Sequence, residues 1–395
     1  MRDAPVLDLD PFADDFLRDP DPHHEQLREA GPVVFLERYE VWAMARFAGV
    51  HAALQDHETF CSGAGVGLSD FRKEKPWRPP SLLLEADPPH HAHARRATAR
   101  VMTARVLEDL RPDFERVAEA MVSEAAGRGR VDGVADLARA YPLRVFPDAV
   151  GLSRDGRENL VAYGSMVFNA FGPRNRLFTE SMAAAEPVRA WIAARCERRA
   201  LAPDGLGARI YAATDTGEIT DDEAGLLVRS LLSAGIDTTT HALASALHAL
   251  ATRPDQWAML RDDPTRARAA FEETLRYASP VQTFFRTTTR DVVIEDVTVP
   301  GGEKVLLFLG AANRDPRHWR DPDRFDITRR AAGHVGFGTG IHACVGASIA
   351  RLQAEILLTA LTRHVRSLAL AGPPRPLLNN TLRGLTELPL DIRAG

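Results

Sequence analysis

The chain has 395 residues, 45% of them hydrophobic, which is enough to bury a large core without disulfide or metal staples. Its 49 basic and 54 acidic side chains leave a net charge of −5, so no global basic field points to nucleic acid. Three widely spaced cysteines, Cys61, Cys196 and Cys344, make no disulfide framework and fit a reduced, cytoplasmic compartment.

Residues 1–22 are rich in Asp and Pro and hold no apolar core of a signal peptide. No run reaches the roughly eighteen apolar residues of a membrane span, so no membrane partner is expected. Residues 33–36 and 39–45 read as a strand pair, and helical patterns then dominate to about residue 277. Short β-like runs return at 284–299, at 304–308 and in the tail from about 365. The segments Ala202-Pro203-Asp204-Gly205 and Gly372-Pro373-Pro374 are turns rather than long linkers, so a single domain over 1–395 is expected. This order predicts a mainly α fold with small β-sheets.

In Asp87-Pro88-Pro89-His90-His91-Ala92-His93-Ala94-Arg95, His91 and His93 would point to different helix faces, which argues against a metal site. His91 and Arg95 share a face. The longest helical pattern, 220–252, opens on the capping-box sequence Thr220-Asp221-Asp222-Glu223 and is apolar around almost its whole circumference, as a central buried helix would be. Along it Arg229, Ser233, Asp237 and His241 recur at four-residue steps, with Ser230, Ala234 and Thr238 beside them. A polar stripe inside a core is expected to face a cavity. Further on, Glu273-Thr274-Leu275-Arg276 places a carboxylate and a guanidinium one turn apart.

Near the C-terminus, Phe337-Gly338-Thr339-Gly340-Ile341-His342-Ala343-Cys344-Val345-Gly346 sets one cysteine in a glycine-punctuated loop that runs into an apolar helix. A lone thiolate ligates iron only where the backbone approaches closely and amides hold the sulfur, and Gly338, Gly340 and Gly346 permit that. In every fixed position this loop resembles that of the cytochrome P-450 family, the haem-thiolate monooxygenases. The resemblance runs from about residue 21 to 389 and implies the P-450 fold, haem b held through Cys344, and O2 as co-substrate.

Several residues acquire roles from that resemblance. His91, Arg95, Arg286 and His342 match positions that hold the haem propionates, and Phe337 and Gly346 belong to the cysteine loop. Ala234-Gly235-Ile236-Asp237-Thr238 resembles the oxygen-binding segment, in which a small residue and a glycine make room for O2 and an acid-alcohol pair relays protons. Reducing one oxygen atom to water needs two protons delivered while bulk water stays out, which is the chemistry Asp237 and Thr238 would serve. Glu273, Arg276 and Arg324, the last from Pro322-Asp323-Arg324-Phe325, match a buried structural ion network.

A closer likeness joins the chain to a bacterial subfamily that oxidises para-substituted benzoates such as 4-methoxybenzoate. It rests on residues 65–70 and 75–81, on Val167-Phe168-Asn169-Ala170-Phe171-Gly172-Pro173, on Val228-Arg229-Ser230 and on Val281-Gln282-Thr283-Phe284-Phe285-Arg286. By that match Arg78, Ser81 and Ser230 bind the carboxylate and Arg229 supports its charge. Leu84, Phe168, Phe171, Val281 and Phe284 clamp the ring, and Ser233 also faces the substrate. Ser230 precedes Ala234 by one helical turn, about 6 Å, which suits a ligand one aromatic ring long. Arg189 departs from the pattern, because a neutral side chain is expected in the helix covering the pocket. Another small aromatic acid, or peroxide in place of O2, is an alternative reading.

The chain has no G-x-G-x-x-G fingerprint after a strand, so electrons come from outside it. The family resemblance implies a [2Fe–2S] ferredoxin and a ferredoxin reductase using NADH. Arg95, Arg96, Arg100 and Arg105 form a basic segment that would help dock an acidic ferredoxin.

Overall fold

The computed structural model describes residues 4–395, so the first three residues of the expected 1–395 domain lie outside the described residues. Helices make up about 51% of the chain and every strand is short, the mainly α architecture that the patterning implies.

The expected strand pair forms as Val34–Leu36 against Val41–Met44, antiparallel, with Phe35 opposite Trp42. Glu40, at φ 51, turns the chain between them. Their faces are buried, so they recruit Lys304–Phe308 in parallel and then Thr283–Thr288, with Val6–Leu7 and Phe60–Cys61 at the two edges of a six-stranded sheet. The run expected over 284–299 divides into Thr283–Thr288 and a hairpin of Val292–Ile294 with Val297–Val299, which turns at Glu295, φ 52. In the tail, Val365–Leu370 pairs with Pro389–Ala394, which also takes Arg130–Asp132 as its other neighbour. Arg130–Asp132 and Phe60–Cys61 lie within the stretch read as helical, because strands of three and two residues carry no measurable period.

The capping box at Thr220 is present: its hydroxyl accepts from the Glu223 amide at 3.2 Å, and the Glu223 carboxylate accepts from the Thr220 amide at 2.8 Å. The helix that follows differs from the single span expected. It stops at Ala234 and resumes over Asp237–Ala251. The Thr238 hydroxyl donates to the Ala234 carbonyl at 2.8 Å, a side-chain bond of the kind that bends helices. Gly235 is pressed against Phe146 so closely that any side chain there would collide with the ring.

The second of these helices is buried nearly throughout and packs on Ala267–Ala278, which in turn packs on Ala347–His364, the helix after the cysteine loop. Phe114, Tyr141, Phe146 and Phe271 fill the large helical core beside them. Truncating one such phenylalanine to alanine costs about 3–5 kcal/mol. The cysteine loop therefore sits between a rigid helical core and the sheet.

Candidate active site

The loop before Ala347–His364 is built around its glycines. Gly338 (φ +66) and Gly340 (φ +70) take backbone conformations closed to most side chains, and a Cβ on Gly340 would lie 2.6 Å from the Leu54 carbonyl. The Cys344 amide donates to the Phe337 carbonyl at 2.8 Å and closes the loop. The Cys344 side chain is open to an internal cavity yet lies deep in the protein. Burial raises its thiol pKa, opposed by the amides of Gly346 and Ala347 and by the cations Arg95 and Arg351. Those amides and cations favour the thiolate, the form that binds metal.

Around the same cavity stand the four expected donor residues. Arg95 and His342 line it together with Arg286, and the His91 ring lies beside that of His342, tilted by 56° with centroids 4.4 Å apart. The Nε2 atoms of His91 and His342 are buried and have no partner among the described residues. Burial lowers His91 to a pKa of about 4 and Arg286 to about 10. Asp87 carries one carboxylate near this set. Burial pushes its pKa up, but nearby His342, with Nε2 3.9 Å from the carboxylate, and the amides of Ser62 and Gly63 outweigh that and hold it below its ordinary value. Two orphan imidazole nitrogens and two guanidinium groups, beside a sulfur ringed by amides, fit a haem with two propionates. Arg95 also donates to the Ala343 carbonyl at 2.5 Å, so it turns inward and leaves the basic surface segment to Arg96, Arg100 and Arg105.

Ser230, Ser233, Ala234 and Thr238 line the cavity, but the polar stripe read from the sequence does not stay on one face. Asp237 is buried outside the cavity wall, against the helix Glu158–Asn169, where a side chain on Gly164 would collide with its carboxylate. Burial, partly opposed by Arg139, raises its pKa to about 7. His241 lies beyond it with Nδ1 unpartnered and in contact range of Gly384, lowered to about 4 by burial and then by Arg139. Gly235 likewise faces Phe146 rather than the cavity. The break in the helix turns Asp237 and His241 away from the face of Ser233, while Asp237 and Thr238, adjacent in the second segment, point to different sides as neighbouring helix residues do.

The remaining lining is aromatic and apolar. Phe168, Phe171 and Phe284 meet edge to face, with centroids 6.0 and 5.8 Å apart, and Leu84 and Val281 join them. Arg78, Ser81 and Ser230 also line this cavity, and the two serine hydroxyls are 3.1 Å apart. Arg229 stands behind them and donates to the carbonyls of Pro79 at 2.8 Å and Pro80 at 3.2 Å, fixing the loop that carries Arg78 and Ser81. It faces a second, more open cavity of about 510 Å³ that shares Arg78 with the first. Arg189 lines only that outer cavity, half exposed, 3.8 Å from Glu186, so the additional cation is not in the inner pocket.

Glu273 and Arg276 form the buried pair expected, both fully enclosed, with bonds of 2.7 and 2.8 Å. The third member differs. Arg329, not Arg324, bonds Glu273, at 3.2 Å. The Arg324 side chain is 67% exposed and lies 3.8 Å from Asp326, while only its backbone carbonyl accepts from Arg276. Its segment turns back on itself, with the Arg324 amide bonded to the Asp321 carbonyl at 3.1 Å, so the Arg324 side chain points outward and Arg329, five residues on, supplies the guanidinium to Glu273. Glu85, which pairs with Arg78 at 2.8 Å, was likewise not distinguished by sequence, where it is one carboxylate among many.

Comparison with known proteins agrees with this geometry. The family model described as Cytochrome P450 matches residues 197–391. Cytochrome p450 CYP199A2 of Rhodopseudomonas palustris is 56% identical over 98% of this chain and 95% of that protein. The beta-dihydromenaquinone-9 omega-hydroxylase of Mycobacterium tuberculosis is 31% identical over 97% of this chain and 78% of its own length. Among solved structures, cytochrome P450 CREJ in complex with (4-ethylphenyl) dihydrogen phosphate is similar with a TM-score of 0.88 and 29% identity, covering 97% of this chain and 99% of that one. With a thiol loop, a haem-sized donor set and relatives that span nearly its whole length, the chain belongs to the cytochrome P450 family of monooxygenases.

Proposed function

We propose that this P450 monooxygenase hydroxylates or O-demethylates para-substituted benzoic acids such as 4-methoxybenzoate. The observation that carries the reading is the sharing of one cavity by Arg78, Ser81 and Ser230 with Cys344, Ala234 and Thr238, and with an aromatic wall. Haem held through Cys344 supplies oxygen activation when bound. The chain's own residues do the rest. Arg78 and the two serines hold the carboxylate, and Phe168, Phe171 and Phe284 hold the ring edge to face. Ser230 lies one turn, about 6 Å, from Ala234, so the para substituent is delivered to the reacting position and its neighbours are not. Thr238 places a hydroxyl at the reacting position, and Asp237, buried behind the cavity wall and half protonated near neutral pH, is the acid that would feed protons toward it.

One atom of O2 enters the substrate and the other leaves as water, with two electrons and two protons. A hydroxylated methoxy carbon is a hemiacetal that loses formaldehyde. We place the electron source in NADH through a ferredoxin reductase and a [2Fe–2S] ferredoxin, the protein in the cytoplasm, and residues 1–395 in one domain. The test is product analysis with 4-methoxybenzoate and that electron chain. The reading expects 4-hydroxybenzoate and formaldehyde in equal amounts, and little product from the 3-methoxy isomer. Reduction without product, or turnover with peroxide but not with ferredoxin, overturns it.

A further inference from the structure

The side chain of Glu85 is 3% exposed and that of Arg78 is 7% exposed, a buried ion pair of 2.8 Å. The same carboxylate oxygen accepts from the Ser81 amide at 2.7 Å. Arg78, Ser81, Leu83 and Leu84 line the inner cavity but Glu85 does not, so it grips the guanidinium from behind. The Arg78 Nε is buried and has no partner among the described residues. Arg229, on the helix Asp221–Ala234, reaches this loop at the Pro79 carbonyl, near enough to feel the charges of both Arg78 and Glu85. Two guanidinium groups and one carboxylate leave one net positive charge. Tyr163 and Cys196 also face Arg229, and burial raises both, Cys196 to about 12, so neither is charged near neutral pH; Glu186, Arg189, Glu197, Tyr211, Asp221 and Asp222 share the outer cavity with Arg78 and Arg229, where its open side lets solvent screen their charges.

We infer that Glu85 is the specificity-determining residue that matches this end of the pocket to a singly charged aryl carboxylate and disfavours a doubly charged aryl phosphate. The inference rests on the acid-binding reading above. One bound carboxylate brings the cluster to neutrality, whereas a dianion leaves a buried excess charge that nothing compensates. Without Glu85, the charge of Arg78 at the ligand and of Arg229 behind it would be uncompensated, and the second anionic charge would be welcome.

Calorimetric titration of the haem-loaded protein with 4-ethylbenzoate and 4-ethylphenyl phosphate reads this directly. At pH 7.5 the carboxylate is expected to bind at least about tenfold more tightly than the phosphate. At about pH 5.5, below the second phosphate pKa of about 6, the gap narrows while carboxylate affinity holds. Glu85→Gln keeps the shape and an acceptor but removes the charge, and is expected to shift the preference about tenfold toward phosphate. Glu85→Asp retains the wild-type preference. If Glu85→Gln fails to take up haem, the pH dependence of wild type decides, and phosphate affinity that does not change with pH overturns the inference. Wild type that binds neither anion sinks the acid-binding reading and this inference with it. Wild type that binds the carboxylate, with an unchanged ratio in Glu85→Gln, overturns this inference alone.

Discussion

Ser81 and Ser230, 149 residues apart in the chain, bring their hydroxyl oxygens to 3.1 Å in the cavity that also holds Cys344. The Ser230 hydroxyl donates to the Leu226 carbonyl at 2.9 Å, so without a ligand it accepts from Ser81, and the Ser81 proton, which has no backbone acceptor, is the one that turns toward a ligand by giving up that bond. Ser81→Ala is therefore expected to weaken benzoate binding about tenfold, the worth of a hydrogen bond to a charged group. Ser230→Ala should cost less. Equal losses in both, or equal losses for a neutral ligand, would contradict this assignment.

The ion network behind the site predicts a stability order. Arg276→Ala leaves a fully buried Glu273 without its main partner and is expected to cost about 3–5 kcal/mol. Arg329→Ala removes the second cation and should cost less, while Arg324→Ala, at an exposed side chain, should change stability by no more than about 0.5 kcal/mol. Urea denaturation midpoints check the order. A larger loss for Arg324→Ala than for Arg329→Ala would reverse the assignment.

Asp237 gives a pH dependence with a definite sign. Its folded pKa of about 7 lies above the ordinary 3.8, so between those values the unfolded chain releases a proton that the folded protein keeps. Stability from this group is thus full below about pH 4 and is lost as pH rises to about 7. Asp237→Asn removes the dependence, and its stability advantage over wild type should grow across that window by up to about 4 kcal/mol. Product formation in the same variant should fall by about 100-fold. A stability difference that stays flat from pH 4 to pH 8 would show that the carboxyl is not held protonated.

The cysteine loop was legible in the sequence because its function fixes nearly every residue, and Gly338, Gly340 and Cys344 stand where the spacing puts them. The strand pair was legible as two short apolar runs split by a polar turn, both buried throughout, whereas Phe60–Cys61 and Arg130–Asp132 are held by partners remote in the chain and leave no local pattern. A helical period carries side chains in register only while the helix is continuous. The interruption after Ala234 is a tertiary event, made by Phe146 against Gly235 and by the Thr238 hydroxyl, so the sequence placed Asp237 and His241 on a face they do not share with Ser233. Glu85 and Arg329 reach their partners by folding, and nothing in their neighbours' identities marks them.

The donor set predicts how the protein holds its cofactor. His91→Ala or Arg286→Ala should lower haem occupancy, read as the ratio of Soret to protein absorbance, while leaving the long-wavelength Soret band of the reduced carbon monoxide adduct intact. Cys344→Ser should lose that band even when haem is retained. A His91 or Arg286 variant that keeps full haem but loses the band would place the ligation elsewhere.

The most direct test of the substrate assignment is a spin-state titration of the haem protein with 4-methoxybenzoate and with its methyl ester. An anchor of Arg78, Ser81 and Ser230 predicts a strong shift with the acid and affinity for the ester at least about 100-fold weaker, because the ester removes the charge those groups were buried to meet. Equal affinity for acid and ester would contradict the account.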